Sequence, residues 1–250
     1  MSHSIANAPG ERSFAHGKNW YKIFWVFFIG CLIGYGCEMV FAYLKNGYWV
    51  ERTGLIYGPF NQIYGLGAVI FMLSLYHIRR ANAGIIFLAS AFSGAAFEWV
   101  CSWVQEQVFH SVSWEYSDTP ANLGGRTNLF FSICWGLMGM IFIRNIYPTL
   151  SRVIERIPNR IGKPLTWCLA VFMAFDLLIS GLAVARWAER TYGYDVPPTN
   201  AVNAFLDKNY PDEFMSATYT SMEFRRPDDP PAEREEQKEQ EKQEGQDKAA

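Results

Sequence analysis

WYKIFWVFFIGCLIGYGCEMVFAYL, residues 20–44, decides the class of fold. It stays apolar for longer than the roughly 20 residues a helix needs to cross a hydrocarbon core. Four more apolar runs follow, at 62–77, 83–104, 127–147 and 164–187, the second being the shortest. None alternates as a barrel strand would, and only helices and closed barrels satisfy their backbone in lipid. The expectation is an all-α polytopic membrane bundle of about five transmembrane helices spanning 20–188, in contact with the lipid bilayer.

Outward from the bundle, the chain changes character. Residues 1–19 form a polar arm. Residues 189–224 still carry aromatics and are expected to pack on the extracytoplasmic face. From Arg225 the chain reads RRPDDPPAEREEQKEQEKQEGQDKAA, whose charge and lack of apolar residues predict a disordered or solvated tail. The first apolar run is too long for the h-region of a signal peptide. Lys and Arg concentrate at Arg12, Lys18 and Lys22, at Arg79 and Arg80, and at Arg152, Arg156, Arg160 and Lys163. This alternation predicts a multi-pass protein of the plasma (inner) membrane, with the N-terminus cytoplasmic and the C-terminus extracytoplasmic. Arg186 and Arg190 lie against that bias.

The chain has 22 basic and 24 acidic residues, so its charge carries no footprint of a nucleic-acid partner. Five scattered cysteines, none in a C-x-x-C pair, and four scattered histidines predict neither a disulfide framework nor a metal site. There is no nucleophile elbow, no H-E-x-x-H and no P-loop, so no cofactor or ATP hydrolysis of its own is expected.

The first run also carries an internal pattern. Gly30, Gly34 and Glu38 recur as Ser90, Gly94 and Glu98, each set placing two small residues and a carboxylate on one helix face. Pro59-Phe60-Asn61 is then echoed by Pro120-Ala121-Asn122. The offset is 60 at the Glu and 61 at the Pro and Asn. This predicts a parallel repeat of a helix, a long loop and a returning helix.

Carboxylates inside apolar runs are costly and face a bundle interior or wet cavity. Glu38 and Glu98 either bind a cation or proton, or hydrogen-bond the loops. Asp176, in VFMAFDLLISG, is expected to be the deepest, for proton coupling or for a bond to a neighbouring helix. Arg126 either clamps an anion at a helix N-terminus or pins its loop by pairing with Glu98 or Glu115. Asn61 and Asn122 would position the loops or a ligand, and Tyr57, Trp114 and Tyr116 would wall the entrance.

WEYSDTPANLGGRTNLFFSICWGLMG, residues 114–139, resembles the signature region of a bacterial membrane family labelled ABC-transporter permeases of the CmpB type. Trp114, Tyr116, Ser117, Asn122, Gly125, Arg126, Trp135 and Gly136 carry the resemblance, with Glu115 where the family has Asp. Glu38, Tyr57, Gly58, Pro59, Tyr64, Gly65 and Gly67 match its first half. The resemblance implies a permease moving a small substrate, with a separate ATPase subunit docking on the basic segment 151–163. The residues alone also admit an enzyme acting on a lipid or lipid-linked substrate at the outer face, or a scaffold using the charged tail.

Overall fold

The computed structural model describes residues 11–192, 197–198 and 200–224; the tail expected from Arg225 onward lies outside them. The described chain is mostly helical. Helix α1 spans Trp20–Asn46, α2 Gln62–Leu75, α3 Ala83–Phe109, α4 Leu129–Ile141, α5 Tyr147–Glu155, α6 Asn159–Thr191, α7 Ala201–Asn209 and α8 Asp212–Thr218. Four helical stretches are long and apolar enough to cross a membrane: 20–46, 83–109, 129–155 and 159–191. The second run, Gln62–Ile78, is a shorter apolar helix ending in a 3₁₀ turn.

Local chemistry sets the ends. Asn19, Asn61, Asn82 and Asn128 each cap a helix by accepting a backbone N–H two or three residues on. Gly47, at φ 78°, stops α1 in the left-handed region that favours glycine. α4 continues into α5 through a π turn, Phe142–Ile146. Pro148 explains it: proline has no N–H for the α ladder, which widens just before it. The helix therefore runs on to Glu155 rather than ending near Tyr147. Pro164, in turn, lies inside α6, which begins at Asn159.

Burial on α3 is inverted relative to a soluble helix. Its buried positions are Ile86, Ser90, Gly94, Glu98 and Ser102, while Phe92 is 78% and Leu88 67% exposed. Small and polar residues at four-residue spacing face protein, and bulky apolar ones face outward, as helix packing in lipid requires.

The two hairpins α1–α2 and α3–α4 share one packing scheme. A Cβ on Gly34 would lie 2.2 Å from Tyr64 Cβ, and one on Gly94 2.4 Å from Trp135 Cβ. Gly30 packs on Ala68 as Gly139 does on Ser90, and Gly65 meets Phe27 as Gly136 meets Phe87. The departing helices are thus offset by 60 residues and the returning ones by 71. The Pro-x-Asn match at offset 61 is therefore not structurally equivalent. Asn61 caps α2, but the cap of α4 is Asn128, and Asn122 belongs to the loop.

Both loops fold back along their helices. Asn61 N donates to Cys31 O at 3.0 Å, so α2 starts beside Cys31 while α1 runs on for about 22 Å at 1.5 Å per residue. Loop one (47–61) fills that return, which is why α2 is short. Thr127 meets Glu98 in the same way, about 16 Å before the end of α3.

At the opposite end of the bundle, Phe14 and Ala15 are buried, and Phe14 N donates to Asn159 Oδ1 at 2.6 Å. Lys22, fully buried, donates to Ser151 and pairs with Glu155 at 2.5 Å. Arg144 donates to Ala81 O at 2.8 Å. At the loop end, α7 and α8 pack Leu206, Tyr210, Met215 and Tyr219 on Ala183, Val184 and Trp187 of α6. A two-residue antiparallel ladder, β1 (Ser111–Val112) with β2 (Glu223–Phe224), ties this unit to loop three, residues 110–128.

Candidate functional site

The two matched carboxylates head one polar cluster. Glu38 accepts from Tyr64 Oη at 2.8 Å and from Arg52 Nε at 3.3 Å. Glu98, buried, accepts from Thr127 Oγ1 at 2.7 Å and from Tyr116 Oη at 3.2 Å. Burial, then the Glu98 charge and the bond to it, hold the Tyr116 phenol above its ordinary pKa. Glu38 adds to that effect and Arg52 opposes it. Tyr116 therefore lies in the field of both carboxylates. The groups present can store, share or pass a proton, or bind a cationic group, because each acid already faces a neutral hydroxyl donor.

Asp176 is fully buried, but it is not isolated among helices. Its Oδ1 accepts from Tyr57 N at 3.1 Å and Ser180 Oγ at 3.2 Å, and Ser180 Oγ accepts from Ile56 N at 2.9 Å. It thus satisfies backbone donors of the returning loop one, where non-helical chain needs internal partners. Asp176 Oδ2 is buried without a partner among the described residues. Tyr57 Oη and Tyr210 Oη share a hydrogen bond of 2.8 Å, and burial pushes the Tyr210 phenol up to about 12.

Loop three is held internally. Arg126 pairs with Glu106, not with Glu98 or Glu115; its Nη1 donates to Ser102 at 3.3 Å and it stands 5.6 Å from the Trp99 ring centroid. Trp114 Nε1 donates to Arg126 O at 3.0 Å. Asn122 donates to Ser117 O and Thr119 O and accepts from Gly125 N. Glu115 accepts from Ser117 N and Oγ, and a Cβ on Gly125 (φ 69°) would lie 1.9 Å from it. The loop needs glycine there both for backbone angle and for space.

A cavity of about 660 Å³ opens beside this cluster, lined by Glu38, loop one, α2, α3, α6 and residues 218–222. Of the residues expected at a site, Glu38, Asn61 and Trp114 line it. Glu98 and Tyr116 do not line it, although Tyr116 lies in the field of Glu38, which does. Tyr57 and Asp176 stand behind its loop-one wall, and Arg126, Asn122 and Glu115 brace loop three. Sequence pattern alone does not mark Tyr64, Thr127, Trp135, Arg52 or Glu106. The one available signal was the aromatic–Gly pair, Tyr64-Gly65 and Trp135-Gly136, in each returning helix.

Paired hairpins, inverted burial and carboxylates turned inward define a multi-pass helical membrane protein. The chain belongs to the family described as "Putative ABC-transporter type IV", whose model matches residues 25–181. Neither curated proteins nor solved structures gave a match.

Proposed function

We propose that this chain is the membrane subunit of a transporter whose substrate passes through the cavity at Glu38. The supporting observation is the cavity itself. It is framed by protein on several sides and has a carboxylate in its wall, while a second, buried carboxylate holds Tyr116, a phenol that also lies in the field of the first. Pockets of this size, mostly apolar with a few converging polar groups, are typical ligand sites. In this reading the N-terminus is cytoplasmic. Arg152, Arg156, Arg160 and Lys163, all exposed around the α5–α6 turn, form the docking face for a separate ATPase subunit.

The test is a metabolite comparison between cells lacking the chain, cells expressing it, and cells expressing Glu38→Gln/Glu98→Gln at matched membrane levels. A small-molecule pool that depends on the chain and reverts in the double variant supports the reading. Identical pools in wild type and the double variant would sink it. Crosslinking and co-purification then show whether an ATPase binds, and reversing the four basic charges should abolish its capture.

A further inference from the structure

Resting on the reading of the cavity as the transport site, we propose that its ligand is an amphiphile. It has a hydrocarbon tail and a zwitterionic head, and it enters sideways from the bilayer between α6 and the α2–α3 wall.

The cavity wall combines apolar and polar stretches. On α2, Leu66 and Ile70 line it, and Leu73 continues the same face one turn further while 45% exposed. Val100 and Val104 of α3 and Leu177 of α6 also line it, each 39–48% exposed. α6 meets α1 where Trp25 donates to Thr166, and meets α3 where Phe109 touches Gly181. The cavity reaches the second crossing, where Phe109, Gly181 and Val184 line it. Several of its apolar lining residues are at the same time open to the outside of the bundle. A hydrocarbon chain can lie along this track from outside.

The polar part of the wall carries unmet demand. Gln62 lines the cavity, and its Oε1 is buried without a hydrogen-bond partner among the described residues. The Tyr219 hydroxyl, on a residue only 7% exposed, ends beside Ser180 without a well-formed bond. Burial pushes that phenol up to about 12, so it stays a neutral donor. The charged lining residues are Glu38, Glu51 and Arg52. Arg52 uses one of its five N–H donors on Glu38. Among the described residues the Glu51 carboxylate meets the Tyr35 hydroxyl alone, at 3.5 Å. Adjacent free carboxylate and guanidinium capacity matches a head bearing one positive and one negative group. A small polar solute would leave the apolar track unfilled, and a pure hydrocarbon would leave these polar atoms unpaired. An amphiphile satisfies both.

The test uses purified full-length protein in detergent and a fluorescent, single-chain lysophosphatidylethanolamine, read by anisotropy. Binding should saturate and be displaced by the unlabelled lipid. Neither phosphoethanolamine alone nor an equal amount of anionic lysophosphatidylglycerol should displace it. Val100→Trp, which fills the track, should weaken binding at least tenfold. Phe92→Trp, on the outward face of the same helix, should leave it unchanged. Leu66→Trp serves in place of Val100→Trp if the latter does not fold. Displacement by phosphoethanolamine alone would overturn the amphiphile and leave transport of a soluble substrate standing. Equal binding in the Val100 and Phe92 variants would reduce the signal to lipid around the bundle, and absence of saturable binding would overturn the proposal. The metabolite comparison fails or succeeds independently of all three.

Discussion

Gly94→Ala is the sharpest test of how the bundle is built. A methyl at Gly94 would sit 2.4 Å from Trp135 Cβ and 2.5 Å from its Cγ. These atoms are the root of the indole, so the side chain cannot swing clear, and α3 and α4 must separate. Overpacking of this kind costs about 1–3 kcal/mol. For a chain of this size each kcal/mol lowers the melting temperature by roughly 2–4 °C, so a fall of about 4–8 °C is expected at the middle of that range. The shared packing scheme adds a second demand: Gly34→Ala, meeting Tyr64 Cβ at 2.2 Å, should cost as much. Gly136→Ala meets the far edge of the Phe87 ring, at 2.6 Å, and should cost less, because that ring can rotate. Gly36→Ala has nothing within 4 Å and should be neutral or slightly stabilising, since alanine is the better helix former. The assay is thermal unfolding of detergent-solubilised protein followed by size-exclusion fluorescence. If Gly94→Ala melts with Gly36→Ala, the close α3–α4 crossing is wrong. If Gly34→Ala and Gly94→Ala diverge widely, the two hairpins are not packed alike.

Two further outcomes are expected. Arg126→Ala removes the ion pair to Glu106 and the bond to Ser102, a loss of about 1–3 kcal/mol. Limited proteolysis should then cut loop three faster than in wild type, with Arg126→Lys intermediate because it lacks the planar fork; unchanged cleavage in the alanine variant would show that the loop is held otherwise. Asp207 is kept below its ordinary pKa chiefly by hydrogen bonds from Arg186, and also by Arg190. Its contribution is present above the unfolded aspartate value, about 3.9, and is lost as pH falls through the lower folded value. Hydrogen exchange across α7 and α8 should therefore rise below about pH 4, before that of α1–α4. Asp207→Asn should raise it already at neutral pH; protection independent of pH in wild type would contradict this.

Run length alone makes the membrane class legible, because the thickness of hydrocarbon fixes how many apolar residues a helix needs. The Gly30-Gly34-Glu38 and Ser90-Gly94-Glu98 stripes were legible for the same kind of reason. Residues four apart on one helix share a face whatever surrounds it. The capping asparagines before α2 and α4 act within two or three residues and need no tertiary context.

The partners of those stripes belong to the tertiary structure. Trp135 follows Glu98 by eleven more residues than Tyr64 follows Glu38, since α3 runs further past its Glu, loop three is longer, and Trp135 lies deeper in α4 than Tyr64 in α2. A fixed offset therefore aligned Asn122 with Asn61 and hid the match between the aromatics. The same folding back brought Tyr57 N to Asp176 and turned an isolated mid-helix acid into the anchor of loop one. Arg126 reached Glu106, two turns beyond Glu98 on the same helix, and the cavity at Glu38 needed residues 218–222 from far along the chain. Period and length are properties of one segment and survive in sequence; distance between segments depends on how the loops return, and only the packed chain sets it.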